Sequence, residues 1–138
     1  MQRPRDRLGR PLAHGADSAL VFPGVPDRKV VSSRVAWMDA NEYLLQGLPF
    51  HAHEVLEQRW RMCPPTERDV WRALAQWAAA LTHQARGNAK GARQVATRAR
   101  ELLEGCGIVA PIDREKVLDS LTEIIDSAVR AGPMGPTG

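Results

Sequence analysis

Apolar residues between Val70 and Ala85 recur as Val70, Leu74, Trp77, Ala78, Leu81 and Ala85, the spacing of one buried helical stripe. The opposite side of this segment carries Gln76, Ala79 and His83. It is small and nearly uncharged, and a helix apolar on most sides is packed on most sides. The pattern predicts a central helix, opened by Thr66 as cap with Asp69 three residues on.

Four more helices follow from the same periodicity. The first runs from Ser32 or Ser33 to Gln46, with Val35, Trp37, Met38, Tyr43, Leu44 and Leu45 as its apolar side. A serine suits the cap, and Gly47 ends the helix by taking the left-handed conformation. The second starts near Pro49, a residue suited to a first helical position. It groups Ala52, His53, Trp60 and Cys63 around Leu56, with His51 on the far side, and stops at Pro64 and Pro65. After Gly87, Asn88 caps a helix that buries Ala92, Val95, Ala96, Ala99, Leu102 and Leu103 and ends at Gly105 and Gly107. The last begins near Asp113 and turns Val117, Leu118, Leu121, Ile124, Ile125 and Ala128 to one side.

The expected fold is therefore all-α, with about five helices: two stacked helical hairpins and a C-terminal helix. A shift of about 40 residues lays Trp37 on Trp77, Ala40 on Ala80, Gly47 on Gly87, Ala52 on Ala92 and Val55 on Val95. That pattern resembles a tetratricopeptide hairpin with a longer period, in which neighbouring units bury what one cannot. The helical domain is expected over 32–131. Before it, residues 1–31 form a Pro-, Gly- and Arg-rich arm, anchored through Leu20, Val21 and Phe22 if it packs. After it, 132–138 read as a flexible Gly/Pro tail.

Composition narrows the function classes. A chain of 138 residues fits one domain. The net charge of +3 is modest, acidic residues are interspersed, and only Arg3, Arg5, Arg7 and Arg10 form a dense basic run. A DNA-binding domain concentrates charge on one face, so nucleic acid is not the expected partner, and the four arginines read as a solvated or acid-paired tail. Cys63 and Cys106 stand apart with no CxxC pair, which argues against a cysteine zinc site and fits free intracellular thiols. No apolar run is long enough to span a membrane or serve as a signal peptide. A soluble cytoplasmic protein is expected.

The chemistry-bearing residues gather on the second and third helices. His53 and Glu57 are four apart, Glu54 and Glu57 three apart, so they share a face. Gln76 and His83 share the face opposite the main stripe of the central helix. If the two faces meet, two imidazoles, two carboxylates and an amide converge. The leading reading is a structural polar network of His53, Glu54, Glu57, Trp60, Gln76, His83 and Asn88, since buried polar groups are normally bonded. A second reading is a divalent metal held by His53, Glu57 and His83 with a water. The run HEVLE departs from HExxH, however, because Glu57 stands where the second histidine belongs. A third is metal-free acid–base catalysis by His53 or His83, oriented by Glu54 or Glu57. No nucleophile motif accompanies it, and no other cofactor is expected. Arg86, Lys90 and Arg93 form a basic edge near the Asn88 cap, where a phosphate could rest, but no phosphate-loop signature is present. His14 and His51 have no partner in the pattern.

The middle of the chain resembles the family called domain of unknown function 309, a group of small bacterial and archaeal helical proteins. The residues that carry the resemblance are Phe50, His53-Glu54, Leu56-Glu57 and Trp60. They continue with Glu67-Arg68-Asp69, Leu74-Ala75-Gln76, Ala79, His83, Arg86-Gly87-Asn88 and Gly91-Ala92. They span about 42–104. The opening Arg3-Pro4-Arg5-Asp6 and Leu8-Gly9-Arg10-Pro11-Leu12 are similar to the N-terminal arm of some members. At Trp71-Arg72-Ala73 the chain lacks a glycine that many members carry before the Leu74 equivalent. The resemblance implies an all-helical fold and no established activity. The expected function is a non-enzymatic interaction or scaffold module with a groove between hairpins, binding a protein partner or a second copy of itself. A small metal-dependent or acid–base, hydrolase-like enzyme centred on His53, Glu54, Glu57 and His83 is the alternative. A nucleic-acid accessory protein is the third.

Overall fold

Ser32 opens the first helix: its hydroxyl accepts the Val35 amide at 3.1 Å. The computed structural model describes residues 4–131, and the expected tail 132–138 lies outside them. The architecture is all-α, with α1 (Ser33–Leu45), α2 (Pro49–Met62), α3 (Arg68–Ala85), α4 (Ala89–Glu104) and α5 (Arg114–Ala131). Among the described residues the β pairing is one isolated bridge, between Arg5 and Pro11.

Each helix packs on the next, and α3 touches α2, α4 and α5, which makes it the central helix the sequence predicted. Ala36, Ala40, Ala52, Ala73, Ala78, Ala80, Ala92, Ala96 and Ala99 are all fully buried. Small side chains at the crossings let neighbouring helices approach closely. Trp71 and Trp77 are the largest fully buried side chains. The Trp77 indole nitrogen donates to Ser120 Oγ at 2.9 Å and ties α3 to α5. Its ring stacks on Trp37 of α1 at 6.2 Å.

The two glycine turns, 40 residues apart, share several backbone bonds. Gly47 and Gly87 have φ of 73° and 80°. Leu48 donates its amide to Tyr43 O as Asn88 does to His83 O, and Gly47 donates to Leu44 O as Gly87 does to Gln84 O. Both are left-handed helix ends, which glycine adopts without a side-chain clash.

Three expectations fail locally. On α1 the buried residues are Ala36 and Ala40, while Val35, Met38 and Leu45 are exposed. This helix ends the stack and packs chiefly on α2, so the contact selects the narrow alanine face. Thr66 does not cap α3: Pro65–Glu67 forms a 3-10 turn and the helix starts at Arg68 with no side-chain cap bond. Ala85 is exposed because α3 has passed the core by its last turn.

The N-terminal arm is packed, though only partly through its expected anchor. Leu20 and Val21 stay exposed, and of the three only Phe22 touches the body, edge-on to His51. Residues 5–11 instead fold into a tight turn around Asp6, whose carboxylate accepts the amides of Leu8 and Arg10. Arg86 then donates twice to Leu8 O, at 3.1 and 2.6 Å. Arg7 reaches Gly47 O at 3.0 Å, Arg10 pairs with Asp6 at 2.7 Å, and Arg5 lies over the Phe50 ring. Of the basic run, Arg5, Arg7 and Arg10 are thus bound to the body or to the arm itself, and Arg3 lies outside the described residues. Further on, the arm runs along α2: His51 bonds Pro23 O, Gln58 donates to Pro26 O and Arg59 to Val31 O. His51, which lacks a partner in the sequence pattern, is 3% exposed and ringed by Phe22, Tyr43 and Phe50.

Candidate functional site

Helices α2 and α3 leave a cleft of about 380 Å³ between them. His53, Glu57 and Trp60 line it from α2, and Arg72, Ala75, Gln76 and Ala79 from α3. Helical spacing explains the set. Residues 53, 57 and 60 follow i, i+4, i+7 on one helix, and 72, 75, 76 and 79 follow i, i+3, i+4, i+7 on the other. Ala75 and Ala79 leave the space open. Trp60 is partly buried, with Arg68 stacked over its ring at 5.0 Å.

His53 Nε2 lies 3.1 Å from Glu57 Oε2, and Arg61 donates to Glu57 Oε1 at 2.6 Å. Glu57 thus lies between His53 and Arg61 along one helix face. The His53 pKa is lowered, first by burial and less by the Arg61 and Arg86 charges, against the upward pull of Glu57 and Glu54. Burial prevails because removing an imidazolium from water outweighs attraction to carboxylates that remain partly solvated. His53 Nδ1 and Gln76 Oε1 are buried without a hydrogen-bond partner.

The lowered value fixes a sign. Above the ordinary 6.5, His53 is neutral in both folded and unfolded chains and adds nothing to pH dependence. Below it, the unfolded chain takes the proton first, so stability falls as pH drops through 6.5. His53→Gln will flatten the curve of Tm against pH between about 6.5 and 5, above the range where glutamates titrate. Parallel curves for the two proteins would refute the assignment.

The sequence-predicted residues divide. His53, Glu57, Trp60 and Gln76 converge in the cleft. Glu54 lies beneath the arm, its Oε1 within 3.7 Å of where a Cβ on Gly24 would sit. His83 and Asn88 are not among the cleft residues. His83 Nδ1 sits 3.1 Å from the Asn88 side-chain amide, and Asn88 Oδ1 accepts the Gly91 amide at 2.9 Å. The single seven-residue network therefore separates into a cleft group and a helix-cap pair, because His83 lies one turn past Ala79, beside the Gly87 turn. For the same reason the set His53, Glu57 and His83 is not assembled. Among the described residues no three His, Cys, Asp or Glu side chains are grouped to hold a metal ion. Sequence reasoning missed Arg72, whose exposed position on α3 carries no pattern signal. It also missed the partners of His51, which come from a segment without periodicity.

Residues 37–95 match the family model described as Domain of unknown function (DUF309). This segment, under half of the chain, is similar to that family. The DUF309 segment takes in all of the cleft residues and both glycine turns, so the resemblance carried by Phe50, His53-Glu54, Trp60 and Arg86-Gly87-Asn88 is borne out. No curated protein and no solved structure matches the chain. No described helix is long and apolar enough to cross a membrane.

Proposed function

We propose that the protein is a non-enzymatic interaction module that receives part of a protein partner in the cleft between α2 and α3. The observation that carries this reading is the pair of buried, unpartnered atoms, His53 Nδ1 and Gln76 Oε1, beside an open cavity. Buried polar groups are normally bonded, and an incoming N–H or O–H donor would satisfy Gln76. Trp60 and Arg72 are side-chain types that dominate binding energy at protein interfaces. A volume of about 380 Å³ sits at the small end of ligand sites, roughly 300–1,000 Å³, and suits one or two inserted side chains.

One observation favours a second reading, a small acid–base enzyme. His53 is neutral at physiological pH, lies beside Glu57, and opens onto a cavity, which are the requirements of a general base. No serine, threonine or cysteine lines that cleft.

Ala79→Trp fills the cleft and separates the readings. Affinity capture with wild type, Ala79→Trp and a distant Glu115→Ala variant is expected to lose a specific bound protein only with Ala79→Trp, by about tenfold. Identical capture by all three overturns the interaction reading. Hydrolysis of generic ester or phosphoester substrates by wild type, abolished in His53→Gln, establishes the enzyme reading in its place.

A further inference from the structure

A larger cavity, about 1090 Å³, lies between α4 and α5, away from the His53–Glu57 cleft. Lys90, Arg93 and Arg98 project from α4 along one wall, and Ala128, Val129 and Ala131 of α5 form the other. Val129 is 57% exposed, an apolar side chain left uncovered on a helix whose opposite face is buried.

The groove gathers three cations; elsewhere some cations lie against carboxylates and others, such as Arg34, Arg72 and Arg100, do not. Arg10, Arg28, Arg59, Arg61, Arg114 and Arg130 each lie against a carboxylate. Among the described residues, Lys90, Arg93 and Arg98 have no such partner, and no acidic residue lines the groove. Even Arg130, next to the apolar wall, is drawn away to Glu123 at 3.0 Å. The N-terminal end of α4, at Ala89 and Lys90, adds the positive end of a helix dipole. Arg86, which the sequence places with this basic edge, is committed elsewhere, to Leu8 O and the Phe50 ring.

We propose that this groove docks an acidic amphipathic segment of another protein. Its carboxylates meet Lys90, Arg93 and Arg98, and its apolar side chains cover Ala128, Val129 and Ala131. Complementary charge of this kind sets partner choice and encounter rate. The cavity exceeds the roughly 300–1,000 Å³ of small-molecule sites. Nucleic acid fits less well: the groove has no aromatic side chain for base stacking, and its cations occupy one wall only.

The test uses the full chain and three fluorescent probes: a Glu/Leu peptide with helical alternation, a Glu/Ser peptide of equal charge, and a short DNA duplex. Fluorescence anisotropy at low salt is expected to show the Glu/Leu peptide bound preferentially by wild type. Affinity falls by about tenfold or more in Arg93→Glu/Arg98→Glu, falls in Val129→Asp, and holds in a control Lys29→Glu/Arg34→Glu that removes equal charge elsewhere. The altered residues are all exposed, and far-UV circular dichroism confirms that each variant folds. No binding by wild type overturns the proposal. So does an equal loss in the control, or binding of the duplex or the Glu/Ser peptide as tightly as the Glu/Leu peptide.

Discussion

Trp71→Ala will destabilise the domain by about 3–5 kcal/mol, the range for emptying a large aromatic site in a core. Since domains of this kind are stable by only about 5–15 kcal/mol, that is a large share of the total. Trp71 is fully buried at the junction of α2 and α3. Its indole nitrogen donates to Glu67 Oε1 at 2.9 Å, and the Arg59 guanidinium lies over its ring. Arg59 also holds Val31 O and approaches Glu67 at 3.4 Å. Truncation therefore opens a cavity and strips a partner from Glu67 at once. Urea unfolding followed by circular dichroism checks the size. Trp71→Phe, which keeps most of the apolar volume but not the donor, is expected to cost less than half as much. A loss below about 1 kcal/mol for alanine would contradict the packing described.

Gly9→Ala will release the arm. Gly9 has a φ of +78°, and a Cβ there would meet the Phe50 ring carbons at 2.3 to 2.5 Å. Holding a residue with a side chain in that region costs about 1–3 kcal/mol by itself, and the ring cannot retreat easily because Arg5 and Arg86 lie over it. Amide exchange over residues 5–12 is expected to rise by about tenfold or more, since one factor of ten corresponds to about 1.4 kcal/mol. Exchange at the centre of α3 should stay unchanged. Protection retained in the arm would show that the Gly9–Phe50 contact does not hold it.

Comparison of the two ends of the chain shows what periodicity reveals. For α2 to α5 the apolar spacing located every helix, because each packs a defined stripe on at least one neighbour, and Pro49, Gly47, Gly87 and Asn88 mark boundaries by local chemistry that needs no tertiary context. On α1 the same rule was half right: Trp37, Tyr43 and Leu44 pack against the core, but Ala36 and Ala40 are its fully buried residues, and hydrophobicity alone ranks them below the exposed Val35, Met38 and Leu45. At the cleft, spacing put His53, Glu57 and Trp60 on one face and Gln76 on the facing helix, and the structure brings them together. Spacing does not say where along α3 the crossing falls, and so it groups His83 with them although the structure sets it apart. The arm was the least legible part. Its order comes from side chains of α2 and α3 reaching out to it, as His51, Gln58, Arg59 and Arg86 do.

Those four residues grip the arm at carbonyl oxygens, three of them on α2 and two of the acceptors supplied by Pro23 and Pro26. His51 and Gln58 are seven residues apart, about 10 Å along a helix. Three residues of extended proline-rich chain cover about 9 Å. The fit is thus a matching of two rulers, and what it specifies is the length of the strap between grips. One inserted residue between Pro23 and Pro26 would therefore put the two grips out of step, and would also shift Val25, which packs against the core between them.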